Sequence, residues 1–412
     1  MKRILYVSRA GLPIDATGLR IEQIGAIYEA LGYHIHYICN RRIDDTIRNA
    51  GYEVVPTKTL LEKLNKNEYH FSIENKIYSY LPEFQGGKIN ALSEIIEIVC
   101  ASKAYHRIVN YCEKDKPDAI ILYNDVYALT KKLIKYCKRK NIRLLADVTE
   151  WYEKRKNATV AEKLVICLSN YRIKKLDQHL DGVIAISHYF EQYYKQKKVN
   201  CVWVPPLMRT DFTVAPLKYN YNERKGVINF IYAGSPGSKD ILLPFVLALM
   251  EVNKTGICCR LDIAGIADSY FEKIGMHELR SYGIYAHGRL THDETLEYVK
   301  RADFGILLRK NQRYARAGFS TKFAECMSMG VPMICNKVGG TDNLIDSWEN
   351  GILIDDYKAE TLVELLLKIC ELDLSEVIKM KVNAQQDAVK YFSEKVYRKQ
   401  LYKLLRGDSE IE

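Results

Sequence analysis

Short apolar runs alternate with longer amphipathic stretches along most of the N-terminal half of the chain. The apolar runs predict buried strands at 2–7, 34–39, 118–123, 143–148, 181–187 and 199–205. Helical patterns lie between several of these runs, at about 19–31, 89–112 and 129–140, whereas residues 41–90 are tyrosine-rich and show no clear period. Strands that alternate with helices predict a doubly wound α/β domain.

The same alternation restarts after Pro205 and Pro206 and a polar linker at about 213–226. Strands are predicted at 227–234, 259–265, 283–286, 304–308 and 331–335, and helices at about 240–252, 292–301, 358–370 and 375–406. We therefore predict an α/β chain with two Rossmann-like doubly wound domains, 1–212 and 213–390, followed by a C-terminal helix at 391–412.

The stretch 303–344 brings two predicted strand ends, a glycine turn and a helix start together at one edge of a sheet. The loop after the strand at 304–308 contains three arginines, Arg309, Arg313 and Arg316. The turn at 318–321 then leads into a helical pattern. Open α/β sheets bind ligands at such an edge, and the N–H groups of a helix start suit a phosphate. Strand–glycine–helix units also occur as plain packing units, so both interpretations stay open.

Lys322 and Glu325 lie one helical turn apart at the start of this helix and face the same side. A carboxylate repels a phosphate, but it can accept two hydrogen bonds from a ribose diol. We predict that Glu325 binds the ribose of a nucleotide and that Lys322 lies beside its phosphates. The alternative is a solvent-exposed ion pair between the two side chains.

These residues resemble the nucleotide-binding core of glycosyltransferase family 4, in a branch of bacterial surface-polysaccharide enzymes. The likeness lies in AGFSTKFAE at 317–325 and SMGVP at 328–332, with Glu325 as the second of the family's two glutamates. Ala317 stands where the first glutamate would fall. The resemblance implies the GT-B fold, in which two Rossmann-like domains face a central cleft. In that fold the last helix crosses back, which could place 391–412 on the N-terminal domain.

The resemblance also implies a donor site in the C-terminal half. The turn at 234–240 matches a family segment that holds the donor diphosphate, with Lys239 as its lysine and Ser235 in place of its arginine. Residues 285–290 resemble the segment that lines the nucleobase pocket. The predicted donor-binding residues are Gly234, Ser235, Lys239, His287, Arg289, Arg309, Gly318, Phe319, Ser320, Thr321, Lys322 and Glu325. Lys239 could instead be an exposed lysine, although a cation at a helix start opposes the helix dipole.

Two carboxylates, Asp147 and Glu150, and two aromatic residues, Trp151 and Tyr152, lie at the end of the strand predicted at 143–148. Aromatic rings stack on sugars and carboxylates accept from hydroxyls, so we predict that Asp147 or Glu150 orients a sugar acceptor against Trp151. We also assign acceptor contacts to Gly18 and Arg20, at the end of the glycine loop that follows the first strand. Asp147 could instead cap the following helix, and Trp151 could belong to the core.

The composition is that of a globular protein: of 412 residues, 48% are hydrophobic and 27% are charged. We expect no signal peptide, because the sequence opens on a predicted strand, and no membrane span, because no run reaches the roughly 18 apolar residues that one needs. The eleven cysteines show no metal-ligand spacing, so we expect reduced core thiols in a cytoplasmic protein. No Asp-x-Asp motif is present, so we expect no metal and no cofactor, only a nucleotide-sugar as substrate.

The net charge of +10 lies entirely in the first half of the chain. Residues 1–212 carry 34 Lys and Arg against 24 Asp and Glu, whereas 213–412 carry 27 of each. We therefore expect an anionic membrane surface as a partner, at the inner face of the cell membrane, and no nucleic-acid partner. An ordinary lysine-rich surface would give the same pattern.

These features predict a retaining, metal-independent hexosyl- or N-acetylhexosaminyltransferase. It would move a sugar from a nucleotide-sugar to a glycan acceptor, expected to be lipid-linked, in the synthesis of a surface polysaccharide such as capsule or lipopolysaccharide. The predicted catalytic residues are Glu150 and Asp147 for the acceptor and Lys239 and Arg316 for the leaving diphosphate. Two alternatives stay open: a nucleotide-sugar epimerase or hydrolase on the same fold, and a non-catalytic two-lobed binding protein.

Overall fold

The computed structural model describes residues 2–9, 11–43, 45–49, 51–52, 68–74, 76–81, 91–153, 158–208, 226–234 and 239–407. The chain divides into two compact units. The N-terminal unit comprises Met1–Val204 together with Tyr397–Glu412, and the C-terminal unit comprises Pro205–Val396. The sequence placed the domain boundaries at 212/213 and 390/391, whereas the units divide at 204/205 and 396/397.

An eight-stranded sheet lies at the centre of the N-terminal unit. Its strands are β1 (Lys2–Ser8), β2 (Tyr33–Arg42), β3 (Tyr69–Ile73), β4 (Lys76–Leu81), β5 (Ala119–Tyr123), β6 (Arg143–Val148), β7 (Gly182–Ala185) and β8 (Cys201–Trp203). Their order is β3-β4-β2-β1-β5-β6-β7-β8, and every pair is parallel except the antiparallel β3–β4 pair at the edge. The central strands are buried on both faces, which explains why they are continuous apolar runs in the sequence.

Helices connect most of these strands. They are α1 (Ala16–Ala30), α2 (Asp45–Arg48), α3 (Ala91–Cys100), α4 (Ser102–Lys114), α5 (Tyr127–Lys140), α6 (Val160–Lys175) and α7 (His188–Gln196). Helix α1 starts at a side-chain cap, because Asp15 accepts a hydrogen bond from the Gly18 N–H at 2.8 Å. Thr159 and Glu162 form a capping box at the start of α6.

Two sequence expectations for this half were incomplete. The single helix expected at 89–112 is interrupted between α3 and α4, because Ala101 adopts a left-handed conformation with φ of 48° while its methyl group is buried. The stretch 41–90, expected to be irregular, contains β3 and β4 among its described residues. In β4 the alternate aromatic side chains Tyr78 and Tyr80 are buried, but the polar residues Lys76 and Ser79 are buried as well, so burial does not follow a simple alternation of apolar and polar residues.

A six-stranded parallel sheet forms the centre of the C-terminal unit. Its strands are β9 (Ile228–Ala233), β10 (Cys259–Ala264), β11 (Ile284–Ala286), β12 (Phe304–Leu307), β13 (Met333–Asn336) and β14 (Gly351–Ile354), in the order β11-β10-β9-β12-β13-β14. The helices are α8 (Leu243–Val252), α9 (Asp268–Glu272), α10 (His292–Arg301), α11 (Arg313–Ala317), α12 (Thr321–Ser328), α13 (Ala359–Cys370) and α14 (Leu374–Phe392). One apolar core packs the sheet against α8, α13 and the start of α14.

The long helix predicted at 375–406 is divided at Ser393, which is extended and buried. The last helix, α15 (Glu394–Arg406), belongs from Tyr397 onward to the N-terminal unit. There the Tyr28 hydroxyl donates to the Leu401 carbonyl at 3.4 Å, and an Arg143 guanidinium nitrogen donates to the Leu404 carbonyl at 3.1 Å.

The strand order reverses once in each sheet, between β1 and β5 in the N-terminal unit and between β9 and β12 in the C-terminal unit. The carboxyl ends of the two strands at such a reversal diverge and leave room for a ligand. The predicted fold class, two Rossmann-like doubly wound domains, is confirmed by these two sheets. None of the helices in the described ranges combines the length and the apolar character that crossing a bilayer requires.

Candidate functional site

The carboxyl end of β9 lies beside that of β10 and beside the start of α12. Gly234, with φ of 112°, donates its N–H to the Ala264 carbonyl at 2.6 Å. A Cβ on Gly265 would approach the Gly234 carbonyl carbon to 2.7 Å, so two glycines are needed where these strand ends meet. The Lys322 side chain passes 3.5 Å from the position that a Cβ on Gly234 would occupy. The predicted donor residues Gly234 and Lys322 are therefore neighbours.

Asp240 is the centre of a buried charged cluster at this edge. Its carboxylate accepts from the Arg309 Nε at 2.9 Å, from the Lys322 ammonium, and from the Tyr232 hydroxyl at 3.0 Å. The Lys322 ammonium also donates to the Tyr232 hydroxyl at 3.0 Å and lies 4.4 Å from the centre of that ring. Two cations share one carboxylate, so the cluster carries a net positive charge next to the β9 end.

Burial and charge oppose each other in setting the protonation of this cluster. Burial alone would raise the pKa of Asp240, but the charges of Lys322 and Arg309 lower that pKa below its usual value. Burial lowers the pKa of Lys322, and the nearby carboxylate offsets part of that effect. The sequence did not single out Asp240 and Tyr232 as site residues. Their signal was present in the segment 232–240, where a tyrosine and an aspartate flank the glycine turn.

Arg309 is positioned by its backbone as well as by Asp240. Its N–H donates to the Asn336 Oδ1 at 2.8 Å, and the Asn336 Nδ2 donates back to the Arg309 carbonyl at 2.8 Å. Asn336 ends β13, the strand next to β12, so Arg309, the second residue after β12, is held by hydrogen bonds to the neighbouring strand. The guanidinium is thereby held at the carboxyl edge of the sheet.

The turn at 318–321 leads into α12, whose N-cap is Ser320. The Ser320 side chain is 3% exposed, and its hydroxyl has no hydrogen-bond partner among the described residues. No acidic side chain occupies the first turn of the helix, so the first N–H groups of α12 are not capped by a carboxylate. Phe319 packs its ring edge-on against Phe323, 5.8 Å away. This helix start could accept an anion.

Glu325 lies one turn further along α12 and is half-buried. Burial raises the pKa of Glu325, while His292 and Lys322 pull it down. A carboxylate that is removed from water in this way gains from any ligand hydroxyl that donates to it.

The other predicted donor residues lie around this edge with different exposure. His287 follows β11 and its Nε2 lies 2.6 Å from the Asp262 Oδ1, while its ring lies 4.2 Å from that of Tyr298. Arg289 and Arg316 are exposed and Lys239 is half-buried. Ser235 lies outside the described residues.

In the N-terminal unit, Asp147 forms a buried ion pair with Arg20. The Arg20 Nη2 donates to the Asp147 Oδ1 at 2.7 Å, and the Arg20 Nε lies 3.1 Å from both carboxylate oxygens. The Tyr6 hydroxyl donates to the Asp147 Oδ2 at 2.8 Å. Asp147 is 0% exposed and Arg20 is 4% exposed. The alternative that Asp147 caps a helix is wrong, because the next described helix, α6, is capped by Thr159.

Gly18 and Trp151 are also buried. A Cβ on Gly18 would lie 2.0 Å from the Leu12 carbonyl oxygen, so glycine is required by packing at this position. Trp151 is 5% exposed and its ring stacks on that of Phe190, with the ring centres 6.0 Å apart. This is the packing expected if Trp151 belongs to the core. Acceptor binding by these two residues and by Arg20 stays a prediction.

Glu150 is half-exposed on a short segment that is fixed on both sides. The Thr149 N–H donates to the Asn124 Oδ1 at 3.0 Å, and the Tyr152 N–H donates to the Asn170 Oδ1 at 3.1 Å. Of the two predicted acceptor carboxylates, Glu150 is the one that is partly exposed to solvent, whereas Asp147 is fully buried.

Comparison with known proteins gives a family match over part of this chain. Residues 244–387 match the model of the glycosyl transferases group 1 family. No curated protein matches the chain in sequence. The matching region begins at α8 and contains Arg309, the turn at 318–321 and Glu325.

Solved structures of similar fold cover nearly the whole chain. Sucrose-phosphate synthase from Thermosynechococcus elongatus aligns with a TM-score of 0.67, 14% identity and 98% coverage of each chain. A glycosyltransferase from Rickettsia africae aligns with a TM-score of 0.66, 16% identity and 99% coverage of each chain. Anabaena Alr3699/HepE in complex with UDP aligns with a TM-score of 0.63 and 14% identity, over 98% of this chain and 100% of that one. The chain therefore has the GT-B fold, and its residues 244–387 match the glycosyl transferases group 1 family.

Proposed function

We propose that this protein is a retaining glycosyltransferase that moves a sugar from a nucleotide-sugar to a glycan acceptor without a metal ion. The observation that carries this proposal is the cationic cluster of Arg309, Lys322 and Asp240 next to the start of α12. It lies where the strand order of the sheet reverses, within a unit that matches a glycosyltransferase family over residues 244–387.

The donor diphosphate is proposed to lie between this cluster and the turn at 318–321. Lys322 and Arg309 would supply positive charge, and the first N–H groups of α12 with the Ser320 hydroxyl would donate hydrogen bonds. Glu325 would accept from the ribose, one turn along the helix. The related fold of Anabaena Alr3699/HepE, solved with UDP and with UDP-glucose, supports a nucleotide-sugar as the ligand class.

The chemical step would be loss of the nucleoside diphosphate and attack of an acceptor hydroxyl on the same face of the sugar. The bond from the anomeric carbon to the diphosphate oxygen breaks, the bond to the acceptor oxygen forms, and the hydroxyl proton leaves with the diphosphate. The main catalytic task is then to stabilise charge on the leaving group. Lys322, Arg309, Lys239 and Arg316 would do this in place of a metal ion.

The acceptor is proposed to bind the N-terminal unit, with Glu150 orienting its hydroxyl. We further propose a lipid-linked glycan as acceptor, a surface polysaccharide as product, and attachment to the inner face of the cell membrane through basic helix α5. The support is the excess of basic residues in 1–212 and the exposure of Lys131, Lys135 and Lys138 on α5.

Two measurements on the full chain test the proposal. Calorimetric titration with nucleoside diphosphates should show binding that Lys322→Ala weakens and that Lys337→Ala, a change at an exposed lysine of the same unit, leaves intact. Product analysis with the best nucleotide-sugar and an acceptor glycan should then show a glycoside with the donor's anomeric configuration. Release of free sugar alone would indicate an epimerase or hydrolase, an inverted product would exclude retention, and absence of turnover with every nucleotide-sugar would indicate a binding protein.

A further inference from the structure

Three cysteine side chains converge at the edge of the C-terminal sheet opposite the donor site. Cys258 precedes β10, Cys259 is the first residue of β10, and Cys370 is the last residue of α13. Their Sγ atoms are separated by 3.3 Å (Cys259–Cys370), 3.4 Å (Cys258–Cys370) and 4.0 Å (Cys258–Cys259). Among the described residues, this is the one group of three or more histidine, cysteine or carboxylate side chains whose ligand atoms are close enough to share a metal ion.

We propose that Cys258, Cys259 and Cys370 form a three-thiolate site for a thiophilic divalent metal ion, with zinc as the best fit. A circle through the three sulfur atoms has a radius of about 2.1 Å, so an ion about 1 Å above their plane would lie at the Zn–S distance of about 2.3 Å from all three. Bonds of about 2.3 Å in a regular tetrahedron place the sulfur atoms about 3.8 Å apart, so the three separations lie within about 0.5 Å of one face of a zinc tetrahedron.

Asn253 holds the two adjacent cysteines in this arrangement. Its Nδ2 donates to the Cys259 carbonyl at 2.7 Å and to the Tyr282 carbonyl at 2.8 Å, and its Oδ1 accepts from the N–H groups of Cys258 at 3.1 Å and Cys259 at 3.2 Å. Neighbouring residues of a regular strand point to opposite faces. Cys258 lies just before β10 and outside the regular strand, and both thiols lie within 3.4 Å of the Cys370 Sγ. Adjacent cysteines are not a usual metal-ligand spacing, so the sequence did not predict a metal site here.

Exposure around the cluster leaves a route for the ion. Cys259 is fully buried, whereas Cys258 and Cys370 are half-buried. The fourth position of a tetrahedron can then be filled by water on the open side.

Metal binding by cysteines depends on pH, because a metal ion binds the thiolate and not the thiol. Three thiolates so close together would repel one another in the absence of a cation. A divalent ion removes that cost and displaces the protons, so binding should release protons and strengthen as pH rises.

The site lies at the amino end of β10, whereas the proposed donor site lies at the carboxyl ends of β9 and β12. An ion there joins α13 to the sheet and acts on the stability of the C-terminal unit. This inference does not depend on the proposed function, since it concerns stability and metal content and involves no residue of the donor site.

The first test uses the unaltered full chain under reducing conditions. Zinc should bind at one ion per chain, raise the midpoint of thermal unfolding, and slow alkylation of Cys258 and Cys370 while leaving the exposed Cys167 as reactive as before. Mass spectrometry of the alkylated peptides reports each thiol separately. Equal alkylation of Cys258 and Cys370 with and without zinc would overturn the proposal, as would a disulfide from Cys370 to either neighbour that persists under these conditions.

The second test compares variants. Removal of a residue that only hydrogen-bonds to a metal ligand typically lowers metal affinity by roughly 10- to 100-fold. Cys370 and Cys258 are proposed as ligands themselves, so Cys370→Ala and Cys258→Ala should each lower zinc affinity by more than that. Cys167→Ser is the matched control and should bind zinc as the unaltered chain does. Cobalt substituted for zinc should show thiolate-to-metal charge-transfer absorption in the unaltered chain and in the control only. Unchanged zinc affinity in both alanine variants would contradict the site.

Discussion

The Arg309 Nε lies 2.9 Å from the Asp240 Oδ1, at the point where β9 and β12 diverge. The same carboxylate also binds Lys322, so one anion fixes two cations, one in the loop after β12 and one in the first turn of α12. Long basic side chains lose conformational entropy when a ligand orders them. Asp240 has already ordered both in the protein alone, which is the arrangement that a preformed diphosphate site requires.

The first prediction concerns this ion cluster. Asp240→Asn leaves Arg309 and Lys322 buried without their counter-charge, and removal of one partner of a buried pair costs about 3–5 kcal/mol. The free energy of unfolding, measured by urea denaturation, should fall by an amount in that range. Asp355→Asn is the control, because Asp355 pairs with Lys337 on the exposed surface, where such a pair is worth about 0–1 kcal/mol.

Acid should act on the same cluster in a defined direction. The charges of Lys322 and Arg309 lower the pKa of Asp240 despite its burial. The charged carboxylate of Asp240 therefore contributes its full stabilisation at pH values above the usual pKa of aspartate, and this stabilisation is lost as the pH falls through the lowered pKa of the folded state. Asp240→Asn should remove that part of the acid sensitivity. Equal stability losses for Asp240→Asn and Asp355→Asn would show that the cluster is not a significant source of stability.

The second prediction concerns Glu325. Glu325→Gln removes charge-assisted acceptance from the ribose, about 1.5–3 kcal/mol for bonds to a charged group, so nucleoside diphosphate affinity should fall about tenfold or more. Burial raises the pKa of Glu325, so affinity in the unaltered chain should decline as pH falls through a range above the usual value for glutamate. The variant should show no such decline.

Stability should respond to Glu325 in the opposite sense. A raised pKa in the folded state means that folding disfavours the charged carboxylate, so this group costs stability at neutral pH. Glu325→Gln should therefore bind nucleotide less well and be no less stable. The exposed Glu364→Gln serves as control for both measurements. Nucleotide affinity equal to that of the control would refute the assignment of Glu325 to the ribose.

The third prediction separates the two carboxylates of the N-terminal unit. Asp147→Asn breaks the buried pair with Arg20 and should lower the free energy of unfolding by about 3–5 kcal/mol. Glu150→Gln should cost far less stability but slow sugar transfer about 10²-fold, the size of effect that poor orientation of a reactant produces. Both should leave donor affinity nearly unchanged, whereas Lys239→Ala should weaken binding of the diphosphate and slow transfer together.

Calorimetry of donor binding alongside transfer rates decides this prediction. If Glu150→Gln lost donor affinity as Lys239→Ala does, the assignment of donor and acceptor to different units would be wrong. If Asp147→Asn were as stable as the unaltered chain, its buried contacts with Arg20 and Tyr6 would not be structural.

The fourth prediction concerns metal ions in catalysis. Lysine and arginine side chains are proposed to meet the leaving diphosphate, so transfer measured directly after addition of excess chelator should keep its rate. Magnesium or manganese should not raise it. Loss of transfer with chelator and its recovery with either ion would contradict the proposed mechanism. A slow loss of protein stability after addition of chelator would instead indicate removal of a metal ion from the cysteine cluster.

The fifth prediction concerns helix α5. Each basic residue close to an anionic leaflet contributes about 1 kcal/mol, so reversing the charge of Lys131, Lys135 and Lys138 should weaken vesicle binding by about 3 kcal/mol, roughly a hundredfold, or more. Co-sedimentation with anionic vesicles at increasing salt measures this. The control reverses three exposed lysines of the C-terminal unit, Lys254, Lys300 and Lys379. Equal binding to neutral and anionic vesicles would exclude attachment through charge.

The sequence by itself determined the elements whose signal is local. Strand β6 and helix α10 lie at the residues that hydrophobic period and capping pattern predicted, 143–148 and 292–301. Alternation of such elements was enough to predict two parallel sheets, because each strand with an apolar side chain at every position must be covered on both faces. The turn at 318–321 was found for the same reason, since glycine and a helix start mark it within a few residues.

Only the tertiary structure decided which side chains meet. Asp240 and Lys322 are 82 residues apart in the chain, Arg20 and Asp147 are 127 apart, and Cys259 and Cys370 are 111 apart. From the sequence alone Asp147 is a candidate acceptor carboxylate at a strand end, and the tertiary structure adds that it is the buried ion-pair partner of Arg20. Strand order and the direction of each side chain fix these pairs, and both follow from how whole sheets and helices pack. Local preferences of the chain carry almost no information about that packing, because the free energy that selects it comes from contacts between distant residues.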